Sequence, residues 1–154
     1  MSLTNGQIPL VANVPNGGVG IIQGSSNTVT LGVSANSVAV YTAGASGGRV
    51  YSLIGSTDDT TTVNVMLSTV SGSTVYPLGL VNIPINSGNV SGTGAVNMLD
   101  PNNAISALKG LPVDGQGNRY IPLRPAEVLR AGALANLSAT GKSCWVVARG
   151  ADYQ

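Results

Sequence analysis

Apolar and polar residues alternate most cleanly over Val63-Asn64-Val65-Met66-Leu67-Ser68, which puts Val63, Val65 and Leu67 on one side. A period of two means a strand with one covered face and one open face. Short β-type runs recur from residue 28 onward, at 28–33, 37–42, 49–54, 62–69, 74–85, 95–99, 120–123, 127–134 and 143–149. Clusters of Gly, Asn and Ser at 34–36, 44–48, 71–73 and 86–94 separate them and supply turns. Many short strands at this spacing predict an antiparallel β-sandwich or barrel.

Two stretches break the pattern. Between Asp100 and Gly110 the signals are helical: Asp100 can cap, Pro101 suits the first helical position, and Ala104, Ile105 and Leu108 share one face. A short helix closing one end of the sheets is expected there. Residues 125–134, PAEVLRAGAL, also carry a helix start, alanines and helical spacing, so local propensity alone favours helix.

Residues 1–28 are rich in Asn, Gly, Gln and Pro, with apolar outcrops at Ile8-Pro9-Leu10-Val11 and at Val19, Ile21 and Ile22. That is too glycine-rich for a helix and too irregular for a sheet core. Two readings stand: a frayed tail, or an extended arm whose outcrops dock on a neighbouring subunit. A wholly disordered tail would carry fewer Ile and Val.

Composition narrows the function classes. Only 8% of residues are charged, against roughly 25% in ordinary soluble proteins. Solubility must come from neutral polar side chains, which suits a protein buried in an assembly. The net charge of +1 comes from seven basic and six acidic residues without a basic stripe, so neither nucleic acid nor a membrane surface is expected as a partner. Residues 1–10 lack the pattern of a signal peptide. Cys144 is the single cysteine, read as a buried thiol in a chain made in a reducing cytoplasm. Histidine is absent, which removes the commonest general base and metal ligand.

The chemical motifs are weak. Gly44-Ala45-Ser46-Gly47-Gly48 fits the nucleophile-elbow pattern, but it lacks a following helix and a histidine partner, and reads as a turn. Asp58-Asp59 is expected to sit in a turn, each carboxylate bonding its own backbone, rather than to form an acid–base pair or calcium site. Asp114-Gly115-Gln116-Gly117-Asn118 lacks the ligand spacing of a calcium loop and reads as another turn. Asn89 and Asn136 head glycosylation sequons that matter only in a secreted chain. No catalytic residue, cofactor or metal is predicted.

The order of segments carries a resemblance. From VYTAGASGGRVYSLIGSTDDTTTVNVMLS the chain runs through YPLGLVNIPINSG and AVNMLDP to LPVDGQGNRYIPLRPAEVLRAG and GKSCWVVARGADY. Across residues 37–153 this resembles small jelly-roll virion proteins of tailed bacteriophages that decorate or cement the capsid. The resemblance implies a jelly-roll β-sandwich assembled as a homotrimer on the major capsid protein, without enzymatic activity. It also implies that YIPLRPAEVLRAG is two strands joined at a proline bend, so 127–134 is taken as a strand against local propensity.

The expected protein is therefore an all-β, jelly-roll-like antiparallel sandwich over 29–154, with one short helix and an extended N-terminal arm over 1–28. Its expected role is structural, on the capsid surface of a virion, where several weak footprints per trimer add through effective concentration. Within the arm, Ile8, Pro9, Leu10, Val11, Val19, Ile21 and Ile22 are the candidate contact residues. The alternative is a tail or fibre-base module that binds a receptor. Sugar binding favours exposed aromatics, and the chain has five tyrosines and one tryptophan, Trp145, which falls in a strand expected to be buried. A hydrolase is the third and weakest reading.

Overall fold

A computed structural model describes residues 12–100 and 108–154. It contains nine strands: β1 (Ala12–Gln23), β2 (Val38–Thr42), β3 (Gly48–Thr57), β4 (Val63–Ser71), β5 (Thr74–Ile83), β6 (Val96–Asn97), β7 (Ile121–Leu123), β8 (Val128–Ala133) and β9 (Ser143–Tyr153). One sheet runs β1-β9-β3-β6 with β7 also on β3, and the other runs β2-β8-β4-β5. All pairings between these strands are antiparallel. The ladders β1·β9, β2·β8, β3·β7 and β4·β5 nest as successive rungs of one long antiparallel ribbon. The ribbon is folded over so that β9 also meets β3 and β8 meets β4. That is the jelly-roll arrangement of two packed sheets.

The inward face of β4 is as its period demands, with Val65 and Leu67 fully buried and Val63 nearly so, but the other face is open only at Asn64, since Met66 and Ser68 are buried as well. Val63, Val65 and Leu67 are flanked in their own sheet by Val81 and Ile83 of β5 and Leu129 of β8, and faced from the other sheet by Val50 and Leu53 of β3 and Val146 of β9, in one continuous core. Residues 127–134 follow strand periodicity in place of their helical propensity. Pro125 and Ala126 form the middle of a tight turn in which Glu127 N–H donates to Arg124 C=O (3.1 Å) and Ala126 takes φ 57°. The apparent helix start is thus a turn, and beyond it Leu129, Ala131 and Ala133 alternate into the core. Burial of that face between two sheets outweighs a few tenths of a kcal/mol of propensity per residue.

Three expectations change. Residues 12–23 are no arm: they form β1, paired with β9 from Ala12↔Tyr153 to Gln23↔Ser143. The glycines that counted against a helix are required by the strand, because β1 crosses tightly over β2. A Cβ on Gly18 would run into the Val40 carbonyl oxygen, and one on Gly20 would lie 2.8 Å from Val40 Cγ2. Residues 28–33 are not a strand. Thr28 makes a single bridge to Ala133, and the chain then turns through Gly32 (φ 78°) and Asn36 (φ 65°). Of the expected helix, 101–107 lie outside the described residues, and Leu108–Gly110 is one 3-10 turn with Leu108 fully buried.

Candidate functional site

Ser46 sits in the β2–β3 turn, closed by Gly47 N–H donating to Gly44 C=O (3.0 Å), with Gly47 at φ 85°. The glycines around it make room for a carboxylate. A Cβ on Gly44 would lie 3.0 Å from Asp152 Oδ2, and one on Gly48 would lie 2.6 Å from Asp152 Oδ1. Asp152 accepts hydrogen bonds from Tyr41 Oη (2.8 Å) and from Asn16 Nδ2 (2.9 Å), and Asn16 Nδ2 also donates to Thr42 C=O (3.0 Å). Burial, and then the bond to Asp152, push the Tyr41 hydroxyl well above its ordinary pKa. The pattern G-x-S-x-G marks a junction that ties β1, β2, β3 and β9 together. Sequence reasoning missed Asn16, Tyr41 and Asp152, since nothing local links positions so far apart in the chain.

Asp58 and Asp59 also differ from expectation. Asp59 Oδ1 does accept from its own loop, from Thr61 N–H (3.0 Å) and Thr61 Oγ1 (3.3 Å). Its Oδ2, however, accepts from Ser138 N–H (2.9 Å), and Asp58 Oδ1 accepts from Ser143 N–H (2.7 Å). Asp59 is fully buried rather than in water. Burial alone would raise its carboxyl, but the bonds from Ser138 and Thr61 outweigh that and hold it below the usual carboxylate range. The pair fastens the loop after β3 to the start of β9 and to the segment before it. Cys144 is buried next to them, and burial, then the charges of Asp59 and Asp58, push its thiol up to about 12.

Asp114 Oδ1 is engaged within its own turn, taking Asn118 N–H (2.8 Å) and Gln116 N–H (2.9 Å). The Asn118 bond above all lowers its carboxyl pKa. Among the described residues no three His, Cys, Asp or Glu side chains gather where they could hold a metal ion. No helix among them is long and apolar enough to cross a membrane.

A different feature stands out on the outer face of the five-stranded sheet. The register sets Ile21 beside Trp145 and Trp145 beside Ser56, then Val19 beside Val147 and Val147 beside Ile54. Side chains at these positions point away from the core, because their neighbours Ile22, Cys144, Val146 and Leu53 point in. Val19 is 54% and Ile21 42% exposed, and Ile54, Trp145 and Val147 are half-buried. Together they form an apolar ladder across three strands, in contact at cross-strand distances.

No family model, curated protein or solved structure matches this chain.

Of the seven candidate contact residues, Val19 and Ile21 belong to this ladder, whereas Ile22 is fully buried in the core and makes no outward contact. Ile8, Pro9, Leu10 and Val11 lie outside the described residues. Trp145, expected inside, is a half-buried member of the outer face. The signal that could have placed it is the alternation Cys144, Val146, Ala148 in β9, which turns the residues between them outward.

Proposed function

We propose that this chain is a structural protein of a bacteriophage virion, a decoration or cement protein that seats on the major capsid protein and stabilises the head. The observation that supports this reading is the apolar ladder of Val19, Ile21, Ile54, Trp145 and Val147 on a rigid sheet, in a chain with only 8% charged residues. Exposed contiguous apolar side chains mark surfaces that another protein covers, and tryptophan is enriched where such surfaces bind. Self-association into a homotrimer would bring three footprints to one lattice. Each would then act at millimolar effective concentration, so modest individual contacts would sum to firm attachment. The role is assembly rather than catalysis, and no cofactor enters it.

The test uses heads of the phage that encodes the chain. Purified particles should contain it in fixed stoichiometry, and added protein should bind heads that lack it. Val19→Ser combined with Ile21→Ser should weaken binding or trimer formation at least tenfold, with the fold kept. Absence from particles, or undiminished binding and trimer formation by the double variant, refutes the reading. A deletion probing the N-terminal segment should stop at residue 11, because removal through residue 28 also deletes β1.

A further inference from the structure

Away from the apolar ladder, a groove of about 630 Å³ opens beside the bulge in β3, bounded by residues around β6 and by the loop before β7. That volume lies in the range of small-molecule sites. Four features define its chemistry. Its formal charge is balanced, with Arg49 and Arg119 against Asp100 and Asp114. Tyr51 and Tyr120 line it, Tyr51 being 51% exposed at the bulge. Asn97 and Asn118 add amides, each able to donate and accept. Leu99 is its one aliphatic side chain among the described residues.

The Arg49 guanidinium is held over the Tyr120 ring, 5.9 Å from its centroid, and its charge acts on Asp114. Its buried Nε–H meets no acceptor among the described residues, a departure from the rule that buried donors are paired. The guanidinium is therefore steadied by stacking, with its Nε–H left without an acceptor among the described residues.

A phosphate or carboxylate ligand would meet two aspartates as well as two arginines, so no net field would select it. An apolar ligand would strip water from donors and acceptors without replacing their bonds. Hydroxyl groups fit both demands, since each donates and accepts, and the faces of a sugar ring are rich in C–H that packs on a tyrosine ring. We propose that this groove binds a neutral saccharide of one or two rings, with Tyr51 and Tyr120 as the stacking walls and Arg49, Asp114 and Asn118 addressing its hydroxyls. The site is independent of the apolar ladder and of whatever that ladder covers.

The experiment is an amide-resolved NMR titration of the full chain with lactose, maltose, cellobiose and chitobiose, with N-acetylneuraminic acid and inorganic phosphate as charged comparators. At roughly 20 mM, a site with a dissociation constant of about 10 mM is well over half filled. At least one neutral disaccharide should shift amides at 49–51, 97–99 and 114–120. Tyr51→Ala should weaken that binding about tenfold, and Asn118→Ala should weaken it severalfold; both side chains are exposed, and the rest of the spectrum reports the fold. No shift with any of the four disaccharides overturns the proposal. So do binding of the charged comparators alone, shifts that map elsewhere, and an affinity unchanged in both variants.

Discussion

Replacing Asp59 with alanine should unfasten the loop after β3 from the segment that leads into β9. The carboxylate accepts backbone N–H bonds from Thr61 at 3.0 Å and from Ser138 at 2.9 Å, with Thr61 Oγ1 further off at 3.3 Å. Hydrogen bonds to a charged group contribute about 1.5–3 kcal/mol each. Thr61 and Ser138 are themselves exposed, so water can replace part of what they lose and the low end applies. Two bonds at about 1.5 kcal/mol give a loss of about 3 kcal/mol. In urea that is a midpoint shift of about 1.5 M at an m-value of about 2 kcal/mol/M, and in heat a fall of roughly 6–12 °C.

Asp59→Asn separates charge from shape, because its amide oxygen still accepts one bond; about half the loss is expected. The pH dependence has a definite sign. The folded carboxyl is held below its unfolded value, so its contribution is complete above about pH 4 and is lost as pH falls through the folded value. The stability gap between wild type and Asp59→Asn should be flat from neutral pH down to about pH 5 and should close below about pH 4. An Asp59→Ala loss under about 1 kcal/mol, or a gap that persists to pH 2, would falsify the assignment of Asp59 as a buried, ionised fastener.

Three other perturbations probe the same framework. Gly18→Ala drives a Cβ into the Val40 carbonyl and should destabilise by about 1–3 kcal/mol, whereas Gly94→Ala, with open space around it, should stay within about 0.5 kcal/mol; equal effects in urea unfolding would contradict the close crossing of β1 over β2. Cys144 should react with Ellman's reagent at pH 8 at least a hundredfold more slowly in the native protein than in urea, since a thiol at about 12 leaves about one molecule in ten thousand as thiolate; rapid native labelling would refute its burial. Tyr41→Phe should lose about 1–2 kcal/mol with the bond to Asp152, and should abolish the last tyrosine step in an alkaline absorbance titration, above the pH of about 10 where free tyrosine ionises; an unaltered titration would show that another residue carries that step.

Much of the sandwich could be read from the chain, for a local reason. β4 announces itself because every second residue meets the core, and the turns around it are built from Gly and Asn. β1 hid because its glycines answer to β2, a different strand, and no local pattern reports a crossing. β8 hid behind alanines that serve a helix equally well, and the resemblance to virion jelly rolls, not propensity, placed it. The apolar ladder needs the register of three strands, and its members lie at 19–21, 54 and 145–147. The groove is harder still: Arg49, Asn97 and Asp114 are ordinary polar residues until the topology brings them together.

The place of β9 bears on how the protein can form. It lies between β1 and β3 and bonds to both along most of its length, yet it follows every other described strand. The five-stranded sheet therefore has no middle until the last strand has been made. During synthesis β1 and β3 wait with unpaired edges, and the Ala12↔Tyr153 pairing closes a loop spanning nearly the whole described sequence. Contacts of that separation place folding in the slow, millisecond-to-second class of all-β domains, and edges left open that long invite pairing with another chain. The window for misassembly is set by the arrival of β9, so truncations within 143–153 should yield aggregation rather than a loosened native fold.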